Sequence, residues 1–242
     1  LPIFIDFQSL VEYFRHIYRR TTLKAGIIVI FEKITTIYKL QDIKRKGRVA
    51  MTPSQPIEQL QAKEIRSRLK ADCSQCFGLC CTALNLIASN DFAINKPAGM
   101  PCPNLQQDFR CQIHSKLREK GFKGCTVFDC LGAGQMIAQS TFGGNSWQTH
   151  PENAERMFQA FPVMEQLFEM IAFIAEALSY KSSAALQQEL TDQLDLLQRL
   201  AKLSADELLN LDLVAYRHPV KELLVKASKE IRSKTGDGKR KL

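Results

Sequence analysis

The residues best suited to chemistry in this 242-residue chain are eight cysteines, all lying between Cys73 and Cys130. They read Cys73-Ser-Gln-Cys76-Phe-Gly-Leu-Cys80-Cys81, then Cys102, Cys111-Gln-Ile-His114, Cys125 and Cys130. Cysteines used as small core residues would be scattered along the whole chain, whereas the other 184 residues hold none. A Cys-x2-Cys pair lets two thiolates converge on one ion from a tight turn, as in zinc and iron–sulfur sites. Cys73 and Cys76 have that spacing, and Cys80 follows closely enough to reach the same ion. Cys81 does not join it readily, because adjacent residues point their side chains apart, so one of the doublet is free for a second site.

Cys73, Cys76, Cys80, Cys81, Cys102, Cys111, Cys125 and Cys130 are therefore the expected metal ligands. Eight thiolates suffice for two four-cysteine sites, or for one iron–sulfur cubane and a zinc, so the ion count stays open. Soft thiolate donors select zinc, iron–sulfur or copper(I) over magnesium or calcium. His114 stands at ligand-like spacing from Cys111, although a single histidine is more commonly solvated or hydrogen-bonded. Structural disulfides would require an oxidising compartment, and a thioredoxin-type redox pair would require a β-α-β setting and only two cysteines. No catalytic residue is assigned: Gly132-Ala-Gly134 reads as turn material rather than a nucleotide-binding loop.

The run Cys73-x2-Cys76-x3-Cys80-Cys81, Cys102-Pro-Asn-Leu105, Phe109-Arg110-Cys111-x-Ile-His114 and Gly124-Cys125-x4-Cys130 resembles the YkgJ-type family of zinc- or iron-chelating domains. The departures are His114, where that family usually has Tyr, and Gly121-Phe-Lys-Gly124, where an Arg-Pro step is usual. A longer stretch is similar to the cysteine-rich N-terminal region of some bacterial pentapeptide-repeat proteins. It includes Asp91-Phe-Ala93, Lys96-Pro-Ala-Gly99, Asp129-Cys130-Leu-Gly-Ala-Gly-Gln135 and Phe161-Pro-Val-Met164. No repeat array is present in this chain, so no solenoid is carried over. The resemblance implies zinc or iron as cofactor. Some relatives with the same opening act on flagellin lysines and use an iron–sulfur cluster, which adds that cluster as one form of the iron.

The elements that must position these sulfurs are helical. Ile57 to Leu69 is apolar at Leu60, Ile65 and Leu69 and reads as a lead-in helix within residues 51–71. The cysteine module, residues 72–131, is rich in loops, with Pro97, Gly99, Pro101 and Pro103 breaking regular structure. It has little apolar surface, so a bound ion is expected to order it; structural zinc supplies about 10–16 kcal/mol of folding free energy in small modules. The helical region, residues 132–235, opens at Pro151-Glu152 and repeats apolar residues at steps of three or four from Ala154 to Leu178, with Pro162 expected to kink or divide that helix. A second helix is expected from Ala184 to Leu203, with Leu186, Leu190, Leu194, Leu197 and Leu200 on one stripe, and a third from Ala205 to Ile231. Trp147 reads as a packing anchor in a Gly-rich turn, His150 and His218 as turn residues before prolines, and Asp129 as a turn residue or a partner of a bound ligand. The expected fold class is mainly α: a loop-rich, metal-stapled cysteine module packed with a C-terminal helical bundle.

Composition sets the remaining bounds. The net charge of +8 is uneven: residues 1–50 carry ten Lys/Arg against four Asp/Glu, and residues 232–242 carry five against one. The middle is near neutral and lacks an aromatic-plus-basic stripe, so no nucleic-acid partner is expected. The most apolar run, Ala25 to Phe31, is seven residues, far short of the roughly 20 needed to span a bilayer. No membrane partner is expected, and the cytoplasm is the expected compartment. Residues 1–50 read as a basic segment, a candidate misannotated extension before a start at Met51, and residues 236–242 as a basic tail. The expected function is metal binding for structure, sensing or assembly. The rivals are an iron–sulfur redox or protein-modification enzyme, and a scaffold for an unidentified protein partner.

Overall fold

A computed structural model describes residues 57–234, which belong to one unit beginning at Pro56. The readings of residues 1–50, of Met51 and of the basic tail lie outside the described residues. The described chain is mainly helical. It has no strand, only isolated antiparallel bridges pairing Leu86 with Lys96 and Leu105 with Cys111.

The organising element is the long helix α5, Ala154–Leu178. Met157, Phe161, Met164, Leu167, Ile174 and Leu178 are buried at helical spacing, each contributing about 1.5–3 kcal/mol on removal from water. Pro162 sits inside this helix without dividing it, so of the two expected outcomes the division does not occur. The cost of one missing N–H is about 3 kcal/mol, less than the burial of its neighbours on both sides.

Against α5 pack α1 (Ile57–Arg68), α2 (Leu79–Ala83), α4 (Ala133–Gln135), α6 (Ala184–Leu200), α7 (Ala205–Leu209) and α8 (Leu213–Lys234). Another short helix, α3 (Lys123–Val127), lies in the cysteine module. Helix α6 buries the expected stripe of Leu186, Leu190, Leu194, Leu197 and Leu200, and Ser183 caps it by accepting from Leu186 N–H. The Ser183 N–H and hydroxyl both donate to the Glu230 carboxylate at 2.8 and 2.7 Å, tying α6 to α8.

Two further expectations are corrected. The single run from Ala205 to Ile231 is two helices, because Ser204 and Glu207 form a capping box that starts the first and Asp212 accepts from Val214 N–H at 3.0 Å to start the next. His218 and Pro219 lie inside that second helix rather than in a turn. It is held by burial of Val220, Leu223 and Ala227, which outweighs the lost backbone bond.

The buried residues form two cores. The larger belongs to the bundle. The smaller lies within the cysteine module and contains Leu86, Leu117 and Phe122, with Phe92, Ile94 and Leu105 partly buried against them. The module therefore has more apolar support than its proline-rich sequence suggested, since residues spaced singly along the loop meet in one cluster.

Candidate metal centre

Two local turns are built alike. Cys76-Phe77-Gly78-Leu79 and Cys130-Leu131-Gly132-Ala133 each place two successive residues at positive φ: 53° and 65° for Phe77 and Gly78, 54° and 100° for Leu131 and Gly132. Each turn then opens a helix, α2 or α4. Successive backbone N–H groups in such turns converge on an anion. Those of Gly78 and Leu79 favour the Cys76 thiolate, and those of Gly132 and Gly134 favour that of Cys130. A left-handed conformation costs a non-glycine residue about 1–2 kcal/mol. The three that adopt it among the described residues, Phe77, Phe109 and Leu131, each lie within two positions of a cysteine. The sequence expectation that Gly132-Ala-Gly134 is only turn material is thus corrected: Gly132 caps α4 and Gly134 lies inside it.

Gly134 shows why glycine is needed there. A Cβ at this position would meet Cys76 Cβ at 2.9 Å, with the sulfurs of Cys76 and Cys130 both 3.7 Å away. Two sulfurs 54 residues apart in sequence thus press on one stretch of backbone. Glutamines just after that stretch hold the Cys73 turn alongside. Gln135 accepts from Asp72 N–H at 2.9 Å and donates to Lys70 O at 2.7 Å, and Gln139 donates to Gln75 O at 2.8 Å. Trp147 donates its indole N–H to Phe77 O at 2.8 Å, which fixes the first turn. Its ring continues a series, Phe77 to Phe109 to Trp147 to Phe158, with centroids 5.3–5.6 Å apart, that reaches α5.

The remaining cysteines gather around the smaller core. Cys81, Cys102, Cys111 and Cys125 all pack against it, whereas Cys80 and Cys130 pack with the bundle. Cys102 N–H donates to Cys81 O at 2.9 Å, and Asn104 reaches Cys102 Sγ at 3.8 Å. Gly124 brings Cys125 close, its Cα facing the Phe92 ring with no room for a side chain. Cys80 and Cys81 mark the border, their sulfurs 3.9 Å apart.

The charges are uneven. A hydrogen bond with Cys76 holds the Cys73 thiol down at about 6 from 9.0, aided by nearby His114, and the same bond pushes Cys76 up. The pair thus keeps one proton, on the buried Cys76, and leaves a thiolate on the exposed Cys73. Likewise, the bond between Cys80 and Cys81 raises Cys80 and lowers Cys81. Burial raises Cys111 and Cys130 and pushes Cys125 up to about 12.

Beside Cys81, Cys102 and Cys80 stands Lys96, 3% exposed, its ammonium donating to Thr82 O, Pro97 O and Met100 O at 3.0, 3.0 and 2.8 Å. Burial lowers its pKa, and the nearby cysteine sulfurs raise it in part.

All eight predicted ligands are free thiols, and Cys73 alone among them is exposed. Among the described residues, no three His, Cys, Asp or Glu side chains stand, as placed, in a group that could hold an ion. The donor chemistry nonetheless suits zinc or iron, being soft, largely sheltered and partly deprotonated. His114 is exposed. Asp129 is a turn residue, accepting from Leu131 N–H at 2.8 Å, and His150 N–H donates to Ser146 O at 2.8 Å in its turn. Sequence reasoning missed Gly134, Lys96, Gln135 and Gln139. Only the echo of Cys-x-Gly at Cys76 and Cys130 was visible as a signal.

No helix of the described residues is long and apolar enough to cross a membrane. The class defined by fold and site is a mainly helical protein carrying a cysteine-rich module. No family model matches the chain, and no solved structure matches it. It is similar to the uncharacterized protein YybG of Bacillus subtilis (strain 168), 46% identical over 165 residues that make up 68% of this chain and 59% of that protein. The match thus spans about three fifths of the relative's length.

Proposed function

We propose that this protein binds zinc or iron, the iron as an iron–sulfur cluster in one form, and uses it for structure, sensing or assembly. The observation that carries the reading is confinement with shelter: all eight cysteines fall in a 58-residue window, are free thiols, and all but Cys73 are buried or half-buried. The backbone N–H groups of the turns at Cys76 and Cys130 favour the thiolate forms of those two residues, which suits sulfurs that bind a cation. The resemblance to YkgJ-type chelating domains supports the same reading. Cys73, Cys76, Cys80, Cys81, Cys102, Cys111, Cys125 and Cys130 are the residues that would hold the metal. The ion would supply cross-links between chain segments that a modest apolar core holds only weakly.

The test is elemental analysis and a visible spectrum of protein purified without oxygen, followed by thermal melting with and without a strong chelator. Stoichiometric zinc or iron, with a lower melting temperature in chelator, is expected. Metal-free protein that melts cooperatively and unchanged in chelator would refute the proposal.

A further inference from the structure

We infer that the module holds two separate four-thiolate sites, one of Cys73, Cys76, Cys80 and Cys130 and the other of Cys81, Cys102, Cys111 and Cys125, with Lys96 as the fixed counter-cation of the second. This deepens the metal-binding reading and rests on it.

Two observations draw the line between the sets. The first is packing: Cys80 and Cys130 belong to the bundle core, and Cys81, Cys102, Cys111 and Cys125 to the small core. The second is the approach at Gly134, where the Cys76 and Cys130 sulfurs meet the same backbone, with the Cys73 turn clamped beside them by Gln135 and Gln139. The doublet explains how one short helix serves both sets. Successive helical residues are rotated by about 100°, so Cys80 and Cys81 face different cores although their sulfurs are only 3.9 Å apart.

Lys96 gives the second set its charge logic. A buried ammonium requires compensation; Lys96 pairs through its backbone with Leu86 of the small core at 2.8 and 2.9 Å, and its ammonium donates to the carbonyl of Thr82, the residue after Cys81. Four thiols that take up one Zn²⁺ release four protons to the buffer and leave a complex of net charge −2. A fixed cation beside it offsets half of that charge.

The full chain, reduced and metal-free, would be reconstituted with zinc and measured by native mass spectrometry and zinc-edge X-ray absorption. Two zinc ions per chain are expected, each with four sulfurs and no zinc–zinc scattering at a thiolate-bridged distance. One ion, more than two, or zinc–zinc scattering overturns the division. No zinc at all overturns the metal-binding reading itself. In addition, Cys125→Ser is expected to bind one ion and to protect Cys73, Cys76, Cys80 and Cys130 from alkylation, and Cys130→Ser to protect the other set. Loss of both ions from either variant while its helical circular dichroism persists also overturns it. If a variant fails to fold, the wild-type measurement decides.

Discussion

Replacing Lys96 with methionine separates its roles in charge and packing, because the stem keeps its volume while the ammonium is lost. The structural cost is bounded by the hydrogen bonds. Thr82 O still accepts from Gly99 N–H at 2.9 Å and Pro97 O from Met100 N–H at 3.3 Å, so Met100 O is the acceptor that loses its donor. One such acceptor costs about 1–3 kcal/mol, offset in part because a buried charge no longer needs desolvating. Metal-free Lys96→Met should therefore fold, with a stability within about 2 kcal/mol of the parent. The loaded state behaves differently. Unit charges about 8 Å apart at an effective dielectric near 20 interact by about 2 kcal/mol, and a four-thiolate zinc site presents two of them. A loss of about 2–4 kcal/mol corresponds to roughly 30- to 1,000-fold weaker zinc binding at one site. Competition titration of the reduced full chain against a chromophoric chelator should show one weakened and one near-normal step. Two steps within about threefold of the parent would show that the buried ammonium does not face a charged site, and the reasoning from Lys96 would fail.

Two other expectations follow from the cysteine turns. In reduced, metal-free protein, Cys73 should reach half its maximal alkylation rate near pH 6, because its thiolate is favoured on folding down from 9.0 to about 6. Its contribution to stability is full above the unfolded thiol's pKa and lost as pH falls through 6. Peptide mass spectrometry across pH would contradict this if Cys73 titrated near 9 like an ordinary thiol. Gly78→Ala should lower stability by about 2 kcal/mol, or about 4–8 °C in Tm for a domain of this size, because its φ is +65° and a Cβ would meet Leu105 Cδ1 at 2.7 Å. An unchanged melting curve would mean the turn relaxes freely.

What could be read from the residues depended on whether the controlling interaction was local. The leucine stripe from Leu186 to Leu200 and the apolar spacing of α5 were legible because one face of a regular helix carries them. Pro162 and Pro219 misled because their cost is local, whereas the burial that outweighs it, at Phe161, Met164, Val220 and Leu223, is tertiary. The break between Ala205 and Ile231 was within reach, since Ser204 and Glu207 are spaced as a capping box and Asp212 as a cap. The confinement of cysteines to one window was plain, and so was the parting of Cys80 from Cys81, since adjacent residues point apart; which core each of the other cysteines packs against was not, because that contact is tertiary. Lys96 was not legible either, because a lysine in a Lys-Pro loop step is ordinarily solvated, and only the fold closes three carbonyls around it.

The two Cys-x-Gly turns would also connect a bound metal to the fold. Each delivers its helix onto α5, α2 from Cys76 and α4 from Cys130, and the glutamines that follow Cys130 hold the Cys73 turn in place. An ion shared by Cys76 and Cys130 would therefore join two elements that already pack on the central helix, so its binding energy would be felt throughout the bundle. Of the cysteines of the small core, only Cys81, which lies in α2, has such a route. Their anchors are the backbone bond from Cys102 to Cys81, the buried ammonium of Lys96 and the aromatic series through Phe109. Strain follows the same pattern, since the left-handed residues Phe77 and Leu131 adjoin Cys76 and Cys130 and Phe109 alone lies near a small-core cysteine, Cys111. Such strain persists only where surrounding contacts over-determine it. Here that condition is met by the indole of Trp147 on Phe77 and by the burial of Leu131. Cys76 and Cys130 thus have their turns fixed by the bundle, while the cysteines of the small core would depend more on a bound ion for their order.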